Sequence, residues 1–168
     1  MKFMTMAAAA AALMATPAFA GNNAAFVGPR AEVTAGVNNI TKVQSAKDFV
    51  YGAAAGVDLP VGDYVTIGAD VNTSNVFEHN REIGASARLG YAFTPSTLGY
   101  VRGGYNNYRN YRNIAKNSFH QDLDGFVVGA GLEHKLNTFT YAKVEYRYSE
   151  FQNGVGNSGV VAGFGFRF

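Results

Sequence analysis

The sequence predicts an all-β chain, an eight-stranded antiparallel up-and-down transmembrane β-barrel, and three observations carry that expectation. Apolar residues alternate with small or charged ones through eight segments, the period of a strand and not of a helix. Glycine accounts for 20 of 168 residues and aromatics for 14%, with no tryptophan, a skew toward extended chain. The connections between segments alternate short and long. The length suits one domain of ordinary size. Lysine plus arginine at 14 against 12 acidic residues leaves a net charge of +2. That is too small for the chain as a whole to hold a polyanion, so nucleic acid is not expected as a partner. The chain has no cysteine, which excludes structural disulfides, thiolate metal sites and thiol nucleophiles.

The first element reads as an address. Lys2 precedes an apolar run from Met4 through the alanines Ala7 to Ala12 and on to Leu13 and Met14, and the stretch closes on Ala18-Phe19-Ala20 before Gly21. A positive start, a short apolar stretch and a small-x-small site are the parts of a cleavable secretory leader. The apolar run of about 12 residues is well short of the roughly 20 that cross a bilayer as a helix. Residues 1–20 are therefore expected to be a signal peptide cut after Ala20, and residues 21–168 the barrel domain.

Eight strands follow. Phe26 to Asn38 sets Ala31, Val33, Ala35 and Val37 against Arg30, Glu32, Thr34 and Gly36. Val50 to Leu59 sets Tyr51, Ala53, Ala55 and Val57 against Gly52, Gly56 and Asp58, and Tyr64 to Asn72 sets Val65, Ile67 and Val71 against Thr66, Gly68 and Asp70. Glu82 to Phe93 is the clearest case, with Ile83, Ala85, Ala87, Leu89, Tyr91 and Phe93 opposite Glu82, Gly84, Ser86, Arg88 and Gly90. Thr97 to Asn107 is the least regular, because Tyr100 and Arg102 share one face while Val101 and Tyr105 share the other. Gly125 to His134, Thr138 to Ser149 and Val160 to Phe168 restore the alternation.

Pro60 to Asp63, Thr94 to Ser96 and Leu136-Asn137 have the composition of tight turns. Asn39 to Asp48, Thr73 to Arg81, Tyr108 to Gln121 and Glu150 to Gly159 are longer and rich in Asn, Ser, Lys or Arg. Short periplasmic turns and longer extracellular loops give this alternation in a membrane barrel. The polar face carries Arg30, Glu32, Asp58, Asp70, Glu82, Arg88, Arg102, Glu133, Lys143, Glu145, Arg147 and Arg167, six basic and six acidic side chains. Glycine and small residues fill the gaps between them, as a narrow eight-stranded lumen requires. Tyr51, Tyr91, Phe93, Tyr146, Tyr148, Phe166 and Phe168 on the apolar face suit interfacial girdles. In hydrocarbon a strand protein must close its sheet, and an even strand count puts both termini on one side.

The stretch Leu123 to Glu133 with Val144-Glu145-Tyr146-Arg147-Tyr148, and the closing Gly163 to Phe168, resemble the small outer-membrane β-barrel superfamily of Gram-negative bacteria. The likeness is to the OmpA/OmpX type, and more closely to opacity-protein or porin-family barrels. It implies residence in the cell outer membrane, contact with outer-membrane lipid and lipopolysaccharide, and an assembly signal in Phe164, Phe166 and Phe168 read by the barrel-assembly machinery.

Two readings of the charged interior stand side by side: a structural polar core that plugs the lumen, and a gated or proton-sensitive path. A lipid A-modifying enzyme would need a serine backed by a histidine. Ser86 is the mid-strand serine of the polar face, while His79 and His120 fall in connections and His134 at a strand end. The histidines are unclustered, so neither a metal nor another cofactor is expected. Tyr108, Arg109, Tyr111, Arg112 and Lys116 make one connection basic and aromatic, a composition that suits phosphate and sugar contacts or simply a solvated loop tip. The expected function is a non-enzymatic structural or surface-interaction role, in membrane integrity, adhesion or lipopolysaccharide contact, with a host or envelope surface partner. The alternatives are a narrow porin-like channel, a lipid A-modifying barrel enzyme and a secreted soluble binding barrel.

Overall fold

The computed structural model describes residues 21–41, 47–75, 80–110, 121–151 and 155–168. After a single 3-10 turn, Ala24–Phe26, come eight strands: β1 Gly28–Thr41, β2 Lys47–Val61, β3 Val65–Asn75, β4 Asn80–Thr94, β5 Thr97–Asn110, β6 Gln121–Lys135, β7 Thr140–Phe151 and β8 Val155–Arg167. Each strand pairs antiparallel with its sequence neighbours, and β8 returns to β1, so the sheet closes in the order β1 to β8. Closure leaves no strand with an unpaired edge, the condition for crossing hydrocarbon with strands.

The register fixes the size of the tube. Stepping from Arg30 to Gly56, Asp70, Ser86, Gly104, Val127, Ser149 and Asn157 brings the path back to β1 at Ile40, ten residues further along. Ten residues of shear over eight strands correspond to a tilt of roughly 40° and a radius of about 8 Å. Such a lumen is just filled by side chains.

The apolar parity faces outward along every strand, from Val33 and Val37 on β1 to Val160 and Phe164 on β8. Aromatic pairs mark both rims: Tyr64 stacks on Tyr91 and Tyr91 contacts Phe93 at the end that holds the termini and tight turns, and Tyr105 meets Phe126 edge-on toward the other. Tyr146, expected at a strand end, lies in the middle of β7. The β2–β3 turn uses Gly62 at φ 73°, a backbone conformation that strains residues with a Cβ.

Further expectations change. Phe26 is not the first residue of a strand but the last of the 3-10 turn, buried inside the barrel. The strands also run further than the alternation shows. β7 and β8 extend to Phe151 and from Val155, leaving only residues 152–154 of the loop expected over Glu150 to Gly159. β1 and β2 likewise take the ends of the Asn39 to Asp48 segment, and β5 takes Tyr108 to Asn110. Hairpin pairing continues beyond the apolar belt, where water meets both faces and no alternation signals it. Residues 42–46, 76–79, 111–120 and 152–154, between the strands at that end, lie outside the described residues.

Candidate functional site

The described charged side chains of the interior form one connected set of ion pairs arranged as two rings, one from even strands and one from odd strands. The even ring takes Asp58 from β2, Arg88 from β4, Glu133 from β6 and Arg167 from β8. Arg88 Nε lies 2.9 Å from Asp58 Oδ1 and its Nη2 donates to Glu133 Oε2 at 3.0 Å. Arg167 donates to Glu133 Oε1 and to Asp58 Oδ2, both at 2.7 Å, which closes the ring.

The odd ring sits toward the loop end. Arg30 on β1 donates to Asp70 on β3 at 2.7 Å, and Arg102 on β5 reaches both Asp70 at 3.0 Å and Glu145 on β7 at 3.3 Å. Lys143 links Glu145 at 3.4 Å to Glu32, and Arg30 lies 3.5 Å from Glu32, which completes the circuit on β1. Arg30 also donates to Asp58 at 3.0 Å and so joins the two rings. Alternation of rings between even and odd strands follows from the pleat and the shear: inward side chains of neighbouring strands stand at staggered heights.

Two tyrosines tie the rings together. Tyr100 donates to Glu145 at 2.7 Å, and its ring lies 4.7 Å from the Arg88 guanidinium. Tyr141 donates to Glu32 at 2.7 Å, and the centre of its ring lies 5.4 Å from the Arg167 guanidinium. The bulk of these side chains explains the glycines across from them. A Cβ at Gly131 would come 2.7 Å from the Tyr100 ring, and one at Gly165 would collide with Tyr141.

Eleven of the twelve charged residues of the polar face are described, and all eleven point into the lumen and take part in these pairs. Ten are buried; Arg147 is half-buried and donates to Glu145 at 2.7 Å from the loop side. Glu82 lies on β4 across from Ser74 and Tyr108, and its side chain is outside the described residues. So are the side chains of Tyr108 and Arg109 at the end of β5, and the whole of Tyr111, Arg112 and Lys116. Phe164, Phe166 and Phe168 face outward, the first two edge-on at 5.6 Å.

Ser86 donates to Asp70 at 2.6 Å and accepts from Arg102. His79 and His120 are outside the described residues, and His134 is exposed, bonded through Nδ1 to Thr97 Oγ1 at 3.0 Å. Among the described residues no three His, Asp or Glu side chains group to hold a metal. Tyr141, Leu98, Asn23 and the inward turn of Phe26 escaped sequence reading. Tyr141 shares the parity of Lys143 and Glu145 and was legible in principle, whereas a turn entering the barrel carries no period.

A closed sheet with an apolar outer belt and a charge-filled lumen is an integral membrane β-barrel. The family model described as "Outer membrane protein beta-barrel domain" matches residues 6–168, so the chain belongs to that family and is a protein of the Gram-negative outer membrane. Solved structures agree on the fold. Neisserial surface protein A is 17% identical with a TM-score of 0.64, covering 83% of this chain and 97% of that one. The N-terminal barrel of Pseudomonas aeruginosa OprF is 18% identical at 0.60, covering 83% and 97%. Ail, the attachment invasion locus protein of Yersinia pestis, is 13% identical at 0.62, again covering 83% and 97%. No curated protein sequence matches significantly.

Proposed function

We propose that the barrel is a non-enzymatic surface-interaction protein whose lumen is structural and whose extracellular connections make contact with anionic sugars, lipopolysaccharide among them. The observation that carries this reading is the pair of ion rings: a barrel about 8 Å in backbone radius, its interior crossed by eleven charged side chains bonded to one another, leaves the connections as the working surface. Of the basic, aromatic residues, Tyr108 and Arg109 lie in β5 at its end opposite the termini, and Tyr111, Arg112 and Lys116 follow in the sequence before β6. Arginine forks and tyrosine faces suit sulfate, phosphate and sugar. Ail, which has the same fold, was solved with the heparin analogue sucrose octasulfate. The fold also houses the outer membrane enzyme PagL, so the fold does not decide the matter. Against an enzyme here stands Ser86, whose hydroxyl donates to Asp70 within the ion-pair network and accepts from Arg102, with no histidine as its partner among the described residues.

The same reading takes residues 1–20 as the cleaved leader and Phe164, Phe166 and Phe168 as the signal to the assembly machinery. Binding of refolded barrel to lipopolysaccharide and to sucrose octasulfate is the test. Arg109→Ala with Arg112→Ala is expected to weaken binding at least tenfold, and unchanged binding would overturn the reading. Planar-bilayer recordings address the narrow-channel alternative, and steady conductance by the unaltered barrel would favour it.

A further inference from the structure

The segment ahead of β1 turns across the mouth of the barrel at the end that carries the tight turns. Phe26 is fully buried against Ala92, Leu98 and Tyr100, with Ala25 packed beside it. Asn23 is also fully buried. Its backbone N–H donates to the Asp63 carbonyl at 3.0 Å, and its side-chain amide donates to the carbonyls of Gly62 at 2.9 Å and Val65 at 2.7 Å. The segment is thereby anchored on the β2–β3 turn. At its other end the Phe26 carbonyl accepts from Arg167, the guanidinium that closes the even ring through Asp58 and Glu133.

We propose that Gly21 to Val27 is a latch that docks into the periplasmic mouth after β8 has paired with β1, and that it shields the even ring from periplasmic water. Its seat is assembled from the β2–β3 turn, β4, β5 and β8, and Phe26 meets Arg167 across 141 positions of chain. Only the closed barrel presents all of these together. The fit at the start of the latch is close, since a Cβ at Gly21 would lie 2.9 Å from the Asp63 carbonyl oxygen. The shielded groups lie directly behind it, because Asp58 and Glu133 are fully buried and Arg167 touches both the latch and the ring.

A chain with no cysteine lends itself to a single-thiol test. Thr66 is fully buried at the same mouth, facing Gly90 beside Leu98, so Thr66→Cys places a thiol behind the latch. In the full barrel refolded into detergent micelles, this thiol should react slowly with a charged maleimide. Adding Phe26→Ala, or Asn23→Ala, which removes only the side-chain anchor, should raise the labelling rate at least tenfold while folded and boiled samples still migrate differently on a denaturing gel. A second reporter, Ser149→Cys, lies beyond the odd ring and should keep its rate in both latch variants. Fast labelling of Thr66→Cys with the latch intact would overturn the proposal. So would an unchanged rate in the latch variants, or equal acceleration at Ser149→Cys.

Discussion

The even ring and the odd ring neutralise charge in the same lumen with unequal reserves. Asp58, Arg88, Glu133 and Arg167 form a circuit of four to which, among the described residues, Arg30 adds one further charged partner, given to Asp58. The odd circuit of Arg30, Asp70, Arg102, Glu145, Lys143 and Glu32 is larger and is backed by neutral donors, Ser86 on Asp70, Tyr100 on Glu145 and Tyr141 on Glu32. It also carries a pendant cation, Arg147, whose side chain keeps 19% of its surface exposed. A buried charge that loses its partner costs far more than the pair contributes. Redundancy therefore decides how each ring responds to damage: the even ring has little, the odd ring has it at every carboxylate.

The comparison can be broken in a graded series, read by denaturant unfolding of the refolded barrel. Asp58→Ala leaves Arg30, Arg88 and Arg167 short of an acceptor and is expected to cost about 3–5 kcal/mol. Gly131→Ala drives a methyl group against the Tyr100 ring that ties the rings together, and overpacking of this kind costs about 1–3 kcal/mol. Lys143→Met removes one member of the odd ring, yet Glu32 keeps Arg30 and Tyr141, and Glu145 keeps Arg102, Arg147 and Tyr100; we expect about 1–2 kcal/mol. Arg147→Gln should cost less than about 1 kcal/mol, because its one described acid retains other donors and water reaches the guanidinium. Asp58 and Lys143 are linked through Arg30 and Glu32, so the double variant should depart from additivity by about 0.5–3 kcal/mol. A Lys143→Met loss as large as that of Asp58→Ala would remove the distinction between the rings.

Strand number, closure and the outward parity were legible because a bilayer imposes a strict period of two on anything that crosses it. The segment Thr97 to Asn107 looked irregular for the same reason that it matters: Leu98 and Tyr100 point inward as bulky groups among charges, where the pattern leads one to expect small or ionic residues. The polar parity could be read residue by residue, but not the pairing, since which acid meets which base depends on the shear and on strands far apart in sequence, as with Glu32 and Lys143. Asn23 and Phe26 were beyond reach, because their partners are backbone carbonyls and a cluster formed by other strands. Strand ends above the membrane were underestimated where polar residues pair without alternation.

The rings also divide the chain into two electrically unlike halves. Among the described lumenal residues, β1 to β4 contribute Arg30 and Arg88 against Glu32, Asp58 and Asp70, while β5 to β8 contribute Arg102, Lys143, Arg147 and Arg167 against Glu133 and Glu145. The acidic first half meets the basic second half at Asp58 with Arg167, Asp70 with Arg102 and Glu32 with Lys143. Attraction across the gap, strengthened as water leaves, curls the sheet toward its own complement. Order along the chain is then less important than the presence of both halves. A circular permutant that opens the β4–β5 turn and joins the termini keeps both and should still close, whereas a tandem of two first halves would line its lumen with unmatched carboxylates.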